Sequence, residues 1–107
     1  MDKKTNSAIK KYINSVAGKI PDYTTAYLFG SYAKNSYTPE SDIDIAIIID
    51  NLMDTNRFEM QIQLMLIASQ IDSRIEPHPV SKSDLESGSP FVYEILKTGV
   101  EIKIPFK

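Results

Sequence analysis

Apolar residues early in the chain fall at Ile9, Tyr12, Ile13, Val16 and Ile20. That is the three-and-four spacing of a single helical stripe turned toward a core, and Gly18 and Pro21 mark where the helix should end. The period then changes. Residues 24–31, "TTAYLFGS", are β-branched and aromatic and predict a strand that breaks at Gly30. The polar, turn-rich "SYAKNSYTPES", punctuated by Asn35 and Pro39, predicts a brief helix from Ser31 and then a loop. "DIDIAIIID", residues 42–50, predicts a second strand whose aliphatic centre is buried on both faces.

Asn56, with Glu59 three residues on, has the form of a helix start. Phe58, Ile62, Met65 and Leu66 continue at helical spacing through residues 58–71. Met53, Met60 and Met65 are expected in the core or on a helix face. "SRIEPHPV" predicts a third strand, ended by its two prolines. Ser81 with Asp84 predicts a cap over a short helical turn, and residues 91–98 a last helix stopped by Gly99. "VEIKI", residues 100–104, alternates as a half-buried edge strand. The expected fold class is α/β (α+β), with a mixed, mostly antiparallel sheet of about four strands and helices on one face.

A length of 107 residues suits one compact domain over residues 1–107. With 42% hydrophobic and 24% charged residues, the composition is that of a soluble globular protein. The net charge of -2 gives no support to a nucleic-acid or anionic-membrane surface, although Lys10, Lys11 and Lys19 lie close in sequence. There is no cysteine, hence no disulfide and no thiolate metal site. The N-terminal segment lacks the apolar stretch of a signal peptide, and the longest aliphatic run, residues 45–49, is too short to span a bilayer. A cytoplasmic location is expected.

The composition leaves Asp42 and Asp44 unexplained. Side chains two apart on a strand share a face, with Cα atoms about 6.5–7 Å apart. Two carboxylates so placed repel unless a cation lies between them, and Mg²⁺ commonly uses one or two carboxylates plus substrate phosphates. The pair is half of a cage for one or two Mg²⁺. Gly30 and Ser31 supply the complement. A turn at glycine points backbone N–H groups outward, the missing Cβ admits a phosphate, and the Ser31 hydroxyl offers a further hydrogen bond. Anion cradle and metal cage on neighbouring strands describe a site for a nucleoside triphosphate.

"GSYAKNSYTPESDIDIAI" resembles the signature of the DNA polymerase beta-like nucleotidyltransferase superfamily: Gly-Ser, a ten-residue connection, then Asp-x-Asp on the next strand. Gly30, Ser31, Ala33, Ser41, Asp42 and Asp44 match position by position. Asn35 stands where the family commonly has glycine, a change that a left-handed backbone tolerates. The chain is similar in particular to the minimal nucleotidyltransferase (MNT) branch, short proteins often paired as antitoxins with a helical HEPN-type ribonuclease. The resemblance implies a third carboxylate that is both metal ligand and base. Glu76 is the candidate, in place of the commoner aspartate, with Asp72 as the alternative. It also implies that Gly30, Ser31 and Ser41 hold nucleotide; Lys34 is a further candidate contact to the triphosphate. His78, between two prolines, is read as structural ahead of a substrate contact, Arg74 as a surface ion pair ahead of a phosphate partner, and Tyr32 with Tyr37 as flanking the loop, where they could border the base pocket.

The implied activity is Mg²⁺-dependent transfer of a nucleoside monophosphate, AMP first among them, from ATP to a hydroxyl, a tyrosine of a partner toxin being the expected acceptor. The chain ends soon after its last strand, so a partner protein is expected to supply the second substrate. The alternative is a non-catalytic module that neutralises a partner by contact, its nucleotide site vestigial. Clustered acids count against that alternative, since a dead site has no reason to keep them.

Overall fold

The computed structural model describes residues 2–103. Helix α1 (Lys3–Lys19) is followed by strands β1 (Tyr23–Phe29) and β2 (Ile43–Ile49), helix α2 (Arg57–Ser69), strand β3 (Ile75–Ser81), a 3-10 turn (Lys82–Glu86), helix α3 (Pro90–Thr98) and strand β4 (Val100–Ile102). The four strands form one sheet in the order β3-β2-β1-β4. β1 runs antiparallel to both β2 and β4, and β2 runs parallel to β3. The sheet is mixed and mostly antiparallel, as the sequence pattern predicts.

Period explains most of these elements. Asp2 caps α1 by accepting from Thr5 N at 2.7 Å. The helix passes through Gly18 and stops before Pro21, with Ile9, Tyr12, Ile13 and Val16 buried. β2 lies centrally and is buried on both faces. Its odd positions Ile43, Ile45, Ile47 and Ile49 pack with residues of α1 and α2, including Tyr12, Ile13, Leu64 and Ile67. Ala46 and Ile48 pack on the other side with Val80 and, from α3, Val92 and Ile95. The helices therefore cover both faces rather than one. An aliphatic central strand needs apolar cover on each side, and α3 is the only α-helix described after β3 that can provide it.

Several local expectations change. Residues 31–35 form a run of turns rather than a brief helix. Lys34 N donates to Gly30 O at 3.2 Å and Ser36 N to Ser31 O at 3.0 Å, and the segment ends at Asn35 with φ 59°. α2 starts after Asn56, but the Asn56 side chain accepts from Met53 N at 2.9 Å and makes no cap to the helix. The helix turns Leu64, Ile67 and Ala68 into the core and leaves Phe58, Ile62, Met65 and Leu66 exposed. Met60 packs partly against the core, while Met53 is exposed. This helix carries apolar residues on more than one face, so spacing alone does not select the inward one.

β3 runs through its prolines instead of ending at them. In a parallel strand alternate residues point both backbone groups away from the neighbour. Pro77 and Pro79 occupy such positions on an edge strand, where a missing N–H costs no ladder bond. Their outward carbonyls are met from α2: Gln61 Nε2 donates to Pro77 O at 2.9 Å and an Arg57 guanidinium nitrogen to Pro79 O at 3.3 Å. β4 pairs with β1 as an edge strand at residues 100–102; the part of that expectation at Ile104 lies outside the described residues.

Candidate active site

The end of β1, the start of β2 and the start of β3 meet on the sheet face that α3 covers. Asp44 is the register partner of Phe29 on β1 and of Glu76 on β3. In a parallel pair the partners' side chains leave the same face, so the two carboxyls are brought side by side. Asp42 stands just before β2 and is exposed. His78, two residues after Glu76, shares that face, and its Nε2 lies 3.2 Å from Asp44 Oδ1 and 3.9 Å from Glu76 Oε1. The imidazole is fixed edge-on against Phe29, with centroids 5.1 Å apart, and tilted against Phe91 of α3 at 6.1 Å.

Electrostatics identify this as a place short of positive charge. The Glu76 carboxyl is pushed above its ordinary value, first by hydrogen bonding with the Asp44 carboxyl, then by burial and the Asp42 charge; His78 acts in the opposite direction. Lys34 and Arg74 do not relieve the crowding. Lys34 Nζ pairs with Glu94 of α3 at 3.0 Å, and Arg74 pairs with Asp72 at 2.9 Å. Among the described residues, one ligand atom each from Asp44, Glu76 and His78 lies within 4.8 Å of the others. Oxygen and imidazole donors converging on one point, with excess negative charge, fit a divalent cation.

Gly30 sits over this centre. Its φ is +76°, and a Cβ built on it would lie 2.6 Å from Asp44 Oδ2. The glycine is needed first to let the Asp44 carboxylate in. Ser31 follows at the turn, half-buried.

The other candidates have structural duties. Ser41 Oγ accepts from Thr38 N at 2.8 Å and closes the loop before β2. Asp72 accepts from Arg74 N, Nε and a terminal guanidinium nitrogen, which holds its carboxyl below the ordinary range. The structure thus brings Glu76, and not Asp72, to Asp44. Arg74 also donates to Tyr32 Oη at 2.9 Å and to Thr5 Oγ1 at 3.2 Å, making it a brace between α1, the turn and β3 rather than a surface pair. Tyr32 is buried and stacks on Tyr37 with centroids 4.2 Å apart, so it anchors the connection and does not line an open base pocket. His78 and Phe91 are the additions. His78 follows from Glu76 by the two-residue period once β3 is allowed to continue through Pro77. Phe91 comes from a helix distant in sequence, and no local signal marks it.

The sequence profile described as polymerase beta, nucleotidyltransferase, matches residues 10–104. A candidate protein adenylyltransferase of Methanocaldococcus jannaschii is 48% identical over 44 residues, 40% of this chain. The match spans 44% of that relative's length, less than half of it. Among solved structures, a toxin–antitoxin complex with AMP-PNP has a chain 29% identical, with a TM-score of 0.60 over 89% of this chain and 72% of that one. A complex of tri-AMPylated Shewanella oneidensis HEPN toxin with MNT antitoxin has a chain 26% identical, with a TM-score of 0.57 over 94% of this chain and 72% of that one.

Proposed function

Since the chain belongs to the polymerase beta nucleotidyltransferase family, we propose that it transfers a nucleoside monophosphate, AMP in the first instance, from a nucleoside triphosphate to a protein hydroxyl. The observation that carries this reading is the pairing of Asp44 with Glu76 across the parallel strands, with the Asp42 charge acting on the Glu76 carboxyl. Gly30 and Ser31 border the place where phosphates would lie. Asp42, Asp44 and Glu76 would hold the divalent cation, Mg²⁺ being the ion expected for the all-oxygen part of the set and two ions being expected. A cation held there would supply neutralisation of phosphate charge and Lewis-acid assistance to the displacement.

The chain's own residues do the rest. Glu76 accepts the proton of the acceptor hydroxyl as its oxygen bonds to the α-phosphorus. The bond from the α-phosphorus to the bridging oxygen breaks, and pyrophosphate leaves. The Glu76 side chain is more than half exposed, at 55%, so an acceptor arriving from outside can reach it. Exposed apolar side chains on α2 and α3, among them Phe58, Met65, Tyr93 and Leu96, are surface of the kind a protein partner covers. Together with the toxin–antitoxin complexes among its structural relatives, they support a HEPN-type toxin as that partner and one of its tyrosines as the acceptor.

Incubation with ATP labelled at the α-phosphate, a divalent cation and the product of the neighbouring reading frame tests this. Label covalently attached to the partner is the expected result. A complex that neutralises the partner with no label transferred would leave the contact-only module as the function.

A further inference from the structure

We propose that His78 is a metal ligand, so that Asp44, Glu76 and His78 form a mixed nitrogen–oxygen position selective for a transition-metal dication such as Mn²⁺ over Mg²⁺. This rests on the transferase reading only in taking the acidic cluster to be a metal site. Ligands about 2.1 Å from one ion and at right angles to each other lie about 3 Å apart. His78 Nε2 is already 3.2 Å from Asp44 Oδ1 and 3.9 Å from Glu76 Oε1. A single ring nitrogen thus faces two carboxylate oxygens, the arrangement a shared cation requires.

Two aromatic rings flank the imidazole. Phe29 packs on it edge-on at 5.1 Å and Phe91 at 6.1 Å, while β3 pairs with β2 at His78 opposite Ala46. Ala46 is a small neighbour on the same face and leaves the imidazole room to lie over the sheet toward Asp44. Imidazole suits zinc, copper, iron and nickel best; Mn²⁺, though it favours oxygen, also takes an imidazole beside carboxylates, whereas Mg²⁺ keeps to oxygen. The position therefore discriminates by ligand type. Asp42, outside this cluster, leaves an oxygen-only side on which Mg²⁺ with triphosphate can be held.

His78 is the only histidine in the chain, which makes the test direct. The whole protein, purified with a histidine-free tag, is loaded with Mn²⁺ alone and studied by pulsed electron paramagnetic resonance. Nitrogen modulation on the bound Mn²⁺, changed in frequency when the protein is made with ¹⁵N-histidine, is the expected result. Asp44→Asn should abolish the bound signal. His78→Phe keeps an aromatic ring between Phe29 and Phe91 but removes the donor. It should weaken Mn²⁺ by about 10-fold or more, since losing even an outer-shell partner of a metal commonly costs about 10–100-fold, and should leave Mg²⁺ affinity unchanged. Mn²⁺ bound with oxygen ligands alone overturns the assignment and leaves the transferase reading standing, because label transfer depends on the carboxylates. Failure to bind Mn²⁺ at all overturns it too, and the label-transfer experiment then decides the transferase reading separately.

Discussion

Gly30 and Asp44 touch through an absence: a Cβ on the glycine would stand 2.6 Å from Asp44 Oδ2, at a residue whose φ is already +76°. Gly30→Ala should therefore lower the melting temperature as well as transfer. The left-handed backbone alone costs about 1–2 kcal/mol, and displacement of the carboxylate adds to it. Adding Asp44→Ala to Gly30→Ala relieves the collision but not the backbone strain. Thermal melts of the two single variants and the double variant should show a coupling of about 0.5–3 kcal/mol. Strict additivity would mean that the glycine serves the turn alone.

Glu76→Gln keeps size and hydrogen bonding but loses basicity. Transfer should fall about 10²–10⁴-fold, while ATP still binds with near-normal affinity. Asp72→Asn should leave transfer close to wild type, because its carboxylate is occupied by Arg74. Single-turnover rates with partner and ATP decide between them. An inactive Asp72→Asn beside an active Glu76→Gln would reverse the roles assigned to the two acids.

Asp42→Asn removes one of the charges that raise the Glu76 carboxyl. The metal-free protein should melt at the same temperature or higher at neutral pH, since like-charge crowding is relieved, while transfer is lost. A lowered melting temperature in EDTA would show that Asp42 supports the fold instead.

Asp72 gives stability a pH dependence of its own. Its carboxyl is held down chiefly by hydrogen bonding to Arg74, so the folded state favours the ionised form. That contribution is complete above the ordinary aspartate range near pH 4 and is lost as pH falls through the lower folded value. Melting temperatures of wild type and Asp72→Asn should differ most at neutral pH and converge below about pH 4. A constant gap down to strongly acid solution would exclude ionisation as the cause.

α2 offers a contrast within one helix. Leu64 is fully buried, and its carbonyl accepts from Tyr12 Oη at 3.0 Å. Leu64→Ala should cost about 2–5 kcal/mol, whereas Phe58→Ser, at a side chain 75% exposed, should change stability by no more than about 0.5 kcal/mol. Urea titration of both variants measures this directly.

Much of this was legible from residue pattern. The α1 stripe and the doubly buried β2 follow from period alone. The Gly30 turn follows from residue type, although what fills the space over the glycine, the Asp44 carboxylate, is a long-range fact. The inward face of α2 was hidden because apolar residues lie on more than one side of that helix. His78 was hidden behind the usual meaning of proline: Pro77 and Pro79 read as the end of a strand, whereas an edge strand in a parallel pair accommodates them at every second position. Phe91 and the second helical layer depend on where residues 90–98 return to the sheet, which no short window records.

The two prolines also determine how the sheet can grow. Along β3 the outward N–H groups at Pro77 and Pro79 do not exist, and the carbonyls between which a foreign strand would bind are taken by Gln61 and Arg57. Another extended chain cannot zip onto that border, so edge-to-edge association of sheets is closed on the side carrying Glu76 and His78. Growth by an added strand is confined to the opposite margin at β4, and a partner reaching the acids must come by side-chain contact rather than by continuing the ladder.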